Sequence, residues 1–432
     1  MTRRCSAISS ALLLGSILAP APAPAADAAE WPAWRGPKRD GVSTETGLLK
    51  EWPKEGPRLI WAATGAGGGY STVSLAGGKF FTQGDRADGA YTIAFDSATG
   101  KEAWSFRTGP IYENNRGGGP RGSPTVDGDR VYALDGGGNL SCLDAATGKK
   151  RFALNILDVF KGDNPNWGIS ESPLIEKDLV IVTPGGSEAT VAALDKMTGK
   201  TRWTLRQRDR AAYSSALAAD IAGRRQIVVF TNKGLIGMDA ADGKFLWRYD
   251  KAANGTANVA TPIVRGDHVF ISSGYGTGSA LLKIVKEGDG VAAQEVYFEK
   301  RMQNHHGTSV LVGEHLFGYS DRSSFVCMEF LTGKIVYPSD ADARRRNMQK
   351  CGLVFADGHF YCLGEEGEMV LAEANTKEFV AKSRFKPFGM EPDPKARGGR
   401  RNTWAHPVVA GGRLYLRNQD KIYCYDIKVP AP

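Results

Sequence analysis

Three of the six histidines in this 432-residue sequence lie where side chains from distant parts of the chain can meet. His305 and His306 are adjacent, and His406 follows far along the chain. Each lies at or just before the start of a short strand pattern that recurs along the sequence. Imidazoles in such a setting can ligate a metal ion, transfer a proton or bind an acidic group. The remaining three follow hairpin tips and are expected to be ordinary exposed turn residues: His268, His315 and His359.

Other chemically capable side chains occupy the same kind of loop in other repeats, including Trp167 and Tyr213. Packing positions should repeat along the chain, because each repeat solves the same packing problem, so function is expected at positions that do not repeat. The predicted ligand site therefore consists of Arg121, Glu171, Asn258, Asn304, His305, His306, Trp404 and His406. The alternative is that these groups satisfy one another and buried water in a narrow channel.

No metal ligand and no catalytic residue is predicted among these positions. Neighbouring histidines on a strand point to opposite faces, so His305 and His306 could bind one ion only from a loop. A binding module or hydrolase that uses a metal at the three histidines is accordingly the weakest of three functional hypotheses.

The strands that must position these loops are marked by a repeated motif. An acidic residue and an aromatic residue lie 8 positions apart around a Gly-Lys turn, and the acidic residues are Asp96, Asp144, Asp195, Asp239 and Glu329. The carboxylate can accept turn amides, glycine supplies a positive φ, and the next strand carries the aromatic. A degenerate copy, residues 281–298, fills the double interval before Glu329. A period of about 40–50 residues with four strands per unit is typical of a β-propeller.

A second repeat, out of phase with the first, gives the same count. Eight inner hairpins begin near Tyr70, Gly122, Glu171, Tyr213, Ala260, Gly307, Cys351 and Ala405. The sequence therefore predicts an all-β, eight-bladed β-propeller of four-stranded antiparallel blades. Residues 57–64 form an outer strand without a blade of their own, so we expect this N-terminal strand to close the ring and remove exposed sheet edges.

The chain divides into three predicted parts. Residues 1–28 combine Arg3 and Arg4 with a short apolar run and small-residue cleavage sites, which is typical of a secretory signal peptide. Residues 29–56 form an arm rich in tryptophan and proline, and residues 57–428 form the propeller. No other apolar run is long enough to predict a transmembrane segment. The protein is expected to be exported to the periplasm or the extracellular space, and its oligomeric state is left open.

Charge and cysteine placement narrow the functional classes. The formal net charge is +8, but the basic residues are scattered rather than arranged in a groove, which argues against a nucleic-acid partner. Three cysteines occupy small-residue packing slots: Cys142, Cys327 and Cys424. Cys351 and Cys362 flank one hairpin on the same face, and whether they form a disulfide stays open.

The repeated AxDxxTGKxxW pattern is similar to the tryptophan-docking motif of the pyrroloquinoline quinone (PQQ)-like eight-bladed propellers. The resemblance covers roughly residues 57–428. The opening Trp31–Gly36 and the segments around His305 and His406 also resemble exported PQQ-like repeat proteins. That superfamily contains quinoprotein alcohol dehydrogenases and the non-enzymatic propeller subunit of the outer-membrane β-barrel assembly machinery. The resemblance implies the fold and says little about chemistry.

Two further functional hypotheses follow from the resemblance. The favoured one is a binding or protein-interaction scaffold in the cell envelope, with an envelope protein or a small molecule as partner. The alternative is a PQQ-dependent quinoprotein alcohol dehydrogenase, with the quinone and calcium in the central funnel. Enzymatic activity is left uncertain. The family's enzymes typically carry two adjacent cysteines against the quinone, whereas this chain has none, and no convincing aspartate base is found among the predicted site residues.

Overall fold

A computed structural model describes residues 30–338, 348–387 and 402–430. The predicted signal peptide, residues 1–28, lies outside the described residues. Within these ranges the chain forms eight four-stranded antiparallel sheets, which we number as blades 1 to 8 in chain order. The prediction of an eight-bladed propeller is therefore confirmed.

The first strand, β1 (Arg58–Ala63), does not pair with the strands that follow it in the chain. Blade 1 contains β2 (Ser74–Ala76), β3 (Lys79–Arg86), β4 (Gly89–Asp96) and β5 (Glu102–Gly109). Blade 2 contains β6 (Thr125–Asp127), β7 (Arg130–Leu134), β8 (Asn139–Asp144) and β9 (Lys150–Asn155), followed by the short helix α1 (Ile156–Phe160). Blade 3 contains β10 (Leu174–Glu176), β11 (Leu179–Val182), β12 (Val191–Asp195) and β13 (Thr201–Leu205). Blade 4 contains β14 (Leu217–Ile221), β15 (Arg224–Phe230), β16 (Leu235–Asp239) and β17 (Phe245–Tyr249).

The second half of the ring repeats this arrangement. Blade 5 contains β18 (Ile263–Arg265), β19 (His268–Ser273), β20 (Gly278–Glu287) and β21 (Gly290–Glu299). Blade 6 contains β22 (Val310–Val312), β23 (His315–Ser320), β24 (Ser324–Glu329) and β25 (Ile335–Tyr337). Blade 7 contains β26 (Cys351–Ala356), β27 (His359–Gly364), β28 (Met369–Glu373) and β29 (Ala381–Phe385). Blade 8 contains β30 (Val408–Ala410), β31 (Arg413–Asn418) and β32 (Lys421–Asp426).

The ring closes through β1, which supplies the fourth strand of blade 8. It pairs antiparallel with β32, so that Arg58 lies opposite Asp426 and Ala63 lies opposite Ile422. Arg417 of blade 8 is only 1% exposed and donates hydrogen bonds to the backbone oxygens of Ser71 and Gln83 at the start of blade 1. Blades 8 and 1 are therefore joined by a buried guanidinium, and the ring closes through the N-terminal strand, as the sequence predicts.

The repeated motif joins five pairs of neighbouring blades in the described parts of the chain. Trp104, on the outer strand of blade 1, lies against Gly148 in the motif turn of blade 2, and its Nε1 donates to the Ala145 oxygen at 3.1 Å. Asp144 holds that turn, because its Oδ1 accepts from the Thr147 amide at 2.9 Å. The same glycine contact recurs around the ring, with the pairs Trp61–Gly100, Phe152–Gly199, Trp203–Gly243 and Tyr297–Gly333.

Trp247 departs from this arrangement because blade 5 lacks the motif turn. Its indole instead packs on Gly237, the cross-strand partner in its own blade, and its Nε1 donates to Gln226 Oε1 at 2.7 Å. Trp247 is 3% exposed, whereas Trp104 and Trp203 are half-buried. Glycine replaces the alanine or cysteine of other blades at position 237 because a Cβ would collide with this ring.

The N-terminal arm runs across one end of the ring axis. Arg35 donates to the backbone oxygen of Ser309 in the loop before blade 6, at 2.7 Å. Arg39 donates to the Ser172 oxygen before blade 3, also at 2.7 Å. Blades 3 and 6 lie far apart around the ring, so this segment bridges the channel. Trp31, in the same arm, is buried against the propeller body.

The five cysteines within the described ranges are free and buried. Cys351 pairs with Gly364, and Cys362 pairs with Leu353, so the two thiols occupy diagonal positions across β26 and β27.

Candidate functional site

A cavity of about 490 Å³ opens at one end of the ring axis, and all eight blades or their preceding loops contribute to its wall. The wall is formed by loops that precede the innermost strands and by turns between second and third strands. Trp34 of the arm lies against it and donates from Nε1 to Thr261 Oγ1 at 3.0 Å. Its indole also contacts His406, with ring centroids 4.6 Å apart. The arm thus contributes directly to a site that the sequence assigned to blade loops.

A depression of about 690 Å³ lies elsewhere, between blades 3 and 4 and around Trp203. Its walls come from hairpin and motif turns of the kinds that recur around the ring, among them Asp178 and Asp242. Because these positions repeat, this depression is part of the scaffold.

Five of the eight residues in the predicted site line the axial cavity: Arg121, His305, His306, Trp404 and His406. The other three are buried behind the wall and hold the loops in place. Asn258 Nδ2 donates to the Thr231 oxygen at 2.9 Å, and Asn304 Nδ2 donates to the Tyr319 oxygen at 2.8 Å. Glu171 accepts from the Thr183 amide at 2.5 Å, and its burial raises its pKa to about 7.

Several lining residues lie outside the predicted set. Trp34, Tyr70, Tyr275, Lys350 and Glu365 all face the cavity. Tyr275 has φ of 56°, a backbone conformation that is unusual for a bulky side chain, in a turn between two glycines. A tyrosine in a Gly-Tyr-Gly turn is the one local signal that could have identified this position.

Five side chains form a continuous row of rings, which we call the aromatic belt: Tyr70, Trp404, His306, His305 and Tyr275. The centroids of Tyr70 and Trp404 are 4.9 Å apart, and those of Trp404 and His306 are 5.9 Å apart. His306 and His305 are separated by 5.8 Å, and His305 and Tyr275 by 4.7 Å. The belt therefore joins contributions from blades 1, 8, 6 and 5 along one side of the cavity.

Two carboxylates lie beside the imidazoles of the belt. Asp321 Oδ2 is 2.6 Å from His305 Nδ1, and Lys350 Nζ is 3.5 Å from Asp321 Oδ1. Burial acts to raise the pKa of Asp321, but these two contacts outweigh it and hold the pKa below its ordinary value. Glu365 Oε2 lies 3.6 Å from His306 Nε2. Both carboxylates are thus engaged by groups of the protein.

Burial keeps two of the cavity histidines uncharged. It lowers the pKa of His406 to about 3. It also lowers the pKa of His306 by more than the neighbouring Glu365 carboxylate raises it. At neutral pH both imidazoles are therefore neutral rings that offer apolar faces and hydrogen-bonding nitrogens.

Positively charged side chains lie near Tyr70. The Arg121 guanidinium lies 5.2 Å from the centroid of the Tyr70 ring and donates to the Gly117 and Gly119 backbone oxygens at 2.8 and 3.0 Å. Within the described ranges it has no carboxylate partner within 4.0 Å, and its burial lowers its pKa. Arg116, from the same loop, is exposed at the rim of the cavity. This side of the cavity is therefore suited to an anionic group.

The lining does not fit a resident calcium ion. Calcium takes about 6–8 oxygen ligands. Among the residues that the structure describes, no three His, Cys, Asp or Glu side chains converge as a metal site. Glu365, the lining carboxylate, already contacts His306, and Asp321 contacts His305 and Lys350. The donor groups of the lining therefore do not match those that a calcium-assisted quinone would require.

None of the helices in residues 30–338, 348–387 and 402–430 has the length and apolar character needed to cross a membrane.

Comparison with known proteins assigns the chain to a family. The family described as outer membrane protein assembly factor BamB matches residues 41–164 and 88–338. A quinohemoprotein alcohol dehydrogenase, ADH IIB of Pseudomonas putida, is 34% identical over 124 residues, which are 26% of this chain and 16% of that protein. Outer membrane protein assembly factor BamB of Shewanella oneidensis is 24% identical over 230 residues, which are 50% of this chain and 55% of that protein. The chain thus spans about half the length of the BamB relative and about a sixth of the length of the dehydrogenase.

Solved structures show the same architecture. The crystal structure of BamB from Moraxella catarrhalis superposes with a TM-score of 0.57 at 16% sequence identity, covering 87% of this chain and 98% of the other. At this level of identity the likeness concerns the fold alone.

Proposed function

The chain belongs to the PQQ-like propeller family described as outer membrane protein assembly factor BamB, and from this premise we propose that it is an exported binding protein of the cell envelope that holds a ligand in its axial cavity. The exported location rests on the predicted signal peptide and on the family. Binding rather than catalysis is proposed because the cavity lining offers rings and hydrogen-bonding groups, whereas its carboxylates are engaged by the protein.

One observation carries the proposal. The side chains that line the axial cavity differ from blade to blade, whereas the motif turns that build the ring repeat. Trp404, for example, contacts Tyr70 and His306 from two other blades. A cavity of about 490 Å³ lies within the size range of small-molecule sites, roughly 300–1,000 Å³. A scaffold that used only its outer surface would have no need of this arrangement.

Affinity selection followed by mass spectrometry tests the proposal. The purified protein is incubated with an extract of envelope small molecules and glycans from the source cells, and retained compounds are identified. Trp404→Leu removes one ring of the aromatic belt, and Phe245→Leu, on the exposed outer strand of blade 4, is the matched control. We expect a compound that the unmodified protein and the control retain and that Trp404→Leu loses. Retention of nothing, or equal retention by Trp404→Leu, would contradict the proposal.

The dehydrogenase hypothesis is tested with the same protein. Anaerobic incubation with PQQ and calcium is followed by absorbance spectroscopy and by dye-linked alcohol oxidation. We expect no stoichiometric quinone spectrum, because the described lining lacks a set of free carboxylate ligands for calcium. A stoichiometric spectrum with turnover would replace the binding proposal with a quinoprotein dehydrogenase.

A further inference from the structure

We propose that the ligand of the axial cavity is an acidic oligosaccharide, a short chain of pyranose rings that carry carboxylates. This inference rests on the proposed binding function and specifies its ligand. It draws on three features of the cavity: a row of rings along one wall, cations without ion-paired carboxylates beside that row, and a set of hydroxyl groups elsewhere in the lining.

The aromatic belt suits a chain of sugar rings. The CH faces of a pyranose carry partial positive charge and pack on the negative face of an aromatic ring. The belt is a curved row that extends over several blades, so it offers successive platforms to successive sugar units. Tyr275 is 42% exposed at the outer end of this row, which leaves ring surface available at the mouth.

The belt does not suit a flat ligand inserted between two rings. A sandwiched aromatic ligand needs two parallel rings separated by about twice the stacking distance. Neighbouring rings of the belt instead touch one another at tilted angles: 38° between Tyr70 and Trp404, and 37° between His305 and Tyr275. These contacts close the gaps within the belt. A ligand must therefore lie along the row, which an articulated chain of rings can do and a rigid fused system cannot.

The cations specify the charge of the sugar. Arg121 is held beside Tyr70 by two backbone oxygens, and no carboxylate of the described residues lies within 4.0 Å of its guanidinium, although Asp85 lies near enough to interact with its charge. The guanidinium of Arg116 likewise has no hydrogen-bond or ion-pair partner within the described ranges, and it projects from the same loop at the rim. Guanidinium groups pair with carboxylates through charge-assisted hydrogen bonds. A uronate at this end of the belt would meet Arg121, and Arg116 at the rim offers a second cation to a chain that extends toward the mouth.

Neutral hydrogen-bonding groups complete the cavity. Ser170, Ser172 and Ser215 line the wall contributed by blades 3 and 4, and Thr256 and Thr308 line the walls of blades 5 and 6. Hydroxyl groups both donate and accept hydrogen bonds, as the hydroxyl groups of a sugar do. A wall of this kind can bind a ring whose hydroxyl groups point away from the aromatic belt.

Fluorescence titration with defined sugars tests the inference, because Trp404, Trp167 and Trp34 all face the cavity. The probes are trigalacturonate, the neutral trisaccharide maltotriose, and the flat anion benzene-1,3,5-tricarboxylate. We expect saturable binding of trigalacturonate, at least about tenfold weaker binding of maltotriose, and no saturable binding of the flat anion. Arg121→Met should weaken trigalacturonate binding by about tenfold or more. The control Arg206→Met, at an exposed arginine paired with Glu188 on blade 3, should not change it.

The outcomes separate this inference from the proposed function. Equal binding of maltotriose and trigalacturonate would refute the role of the arginines and overturn the inference. Binding of the flat anion without binding of trigalacturonate would also overturn it, while leaving a ligand site at the axis. Failure of every probe, together with failure of affinity selection to retain any compound, would overturn both.

Discussion

Replacing Gly148 with alanine should destabilise the propeller much more than the same change at Gly128. Both glycines belong to blade 2 and have positive φ, +71° and +57° respectively. A Cβ at Gly148 would lie 2.6 Å from the Trp104 ring of the preceding blade, whereas a Cβ at Gly128 meets no atom within 4 Å. The difference between the two variants therefore isolates the contact between blades.

The magnitudes follow from these two contributions. Placing alanine in the left-handed region costs about 1–2 kcal/mol at either position. The collision with Trp104 adds overpacking of about 1–3 kcal/mol at Gly148 alone, since the indole is also held by its hydrogen bond to the Ala145 oxygen. The free energy of unfolding should thus fall by about 1–2 kcal/mol for Gly128→Ala and by about 2–5 kcal/mol for Gly148→Ala.

Urea denaturation followed by far-ultraviolet circular dichroism measures both values without relying on the tryptophan signal. A double variant provides the decisive comparison. In a Trp104→Ala background the ring is gone, so adding Gly148→Ala should cost only the backbone term, about 1–2 kcal/mol. Equal losses for Gly148→Ala and Gly128→Ala, or an undiminished loss in the Trp104→Ala background, would refute the docking role assigned to the motif.

Three other perturbations test the closure of the ring and the buried groups around its axis. Deletion of residues 57–64 should expose the edge of blade 8 and yield aggregated protein, and a soluble monomer with unchanged melting would argue against closure by this strand. Arg417→Met should lower the free energy of unfolding by about 3 kcal/mol, because several buried backbone oxygens lose their donor; a change near zero would contradict this. Because burial raises the pKa of Glu171 from 4.5 to about 7, the folded state retains a proton that the unfolded state has released, so stability should fall as pH rises through that window. Glu171→Gln cannot titrate, so the fall in its free energy of unfolding between about pH 4.5 and 7 should be smaller by up to about 3 kcal/mol. If urea denaturation gives the same pH profile for the variant and the unmodified protein, this assignment is wrong.

The architecture could be predicted from the sequence because its structural unit repeats. The motif around Asp144 and Gly148 recurs with a nearly constant period, and each copy must solve the same packing problem, so counting copies counts blades. The closing strand, β1, was accessible for the same reason, since Trp61 resembles the docking aromatics and contacts Gly100 as they contact theirs. Trp247 could be assigned to its strand, but its inward packing depends on the absence of a motif turn in blade 5.

Only part of the candidate site could be predicted from the sequence, because extended segments alternate the direction of their side chains. Ser170 and Ser172 line the cavity, whereas Glu171 between them points away from it. Asn258 similarly lies between two lining residues, Ala257 and Val259. The sequence identified the loops and could not identify which of their residues face inward.

Site residues from outside the repeat pattern were the hardest to predict from the sequence. Trp34 reaches the cavity because the arm crosses the ring axis, a path that no periodicity specifies. Glu365 and Lys350 come from a turn and a loop of blade 7, beside one repeat boundary, and their convergence on His306 and Asp321 depends on how neighbouring blades are oriented.

Oxidative footprinting with and without the retained ligand tests the central claim most directly, because it reports where on the propeller the ligand lies. Tyr275 and Trp404 line the cavity, whereas Trp104 and Trp203 are half-buried at the blade edges. We predict that ligand reduces the oxidation of Tyr275 and Trp404 and leaves that of Trp104 and Trp203 unchanged. Protection confined to Trp104 and Trp203 would place the ligand on the outer surface and contradict an axial binding site.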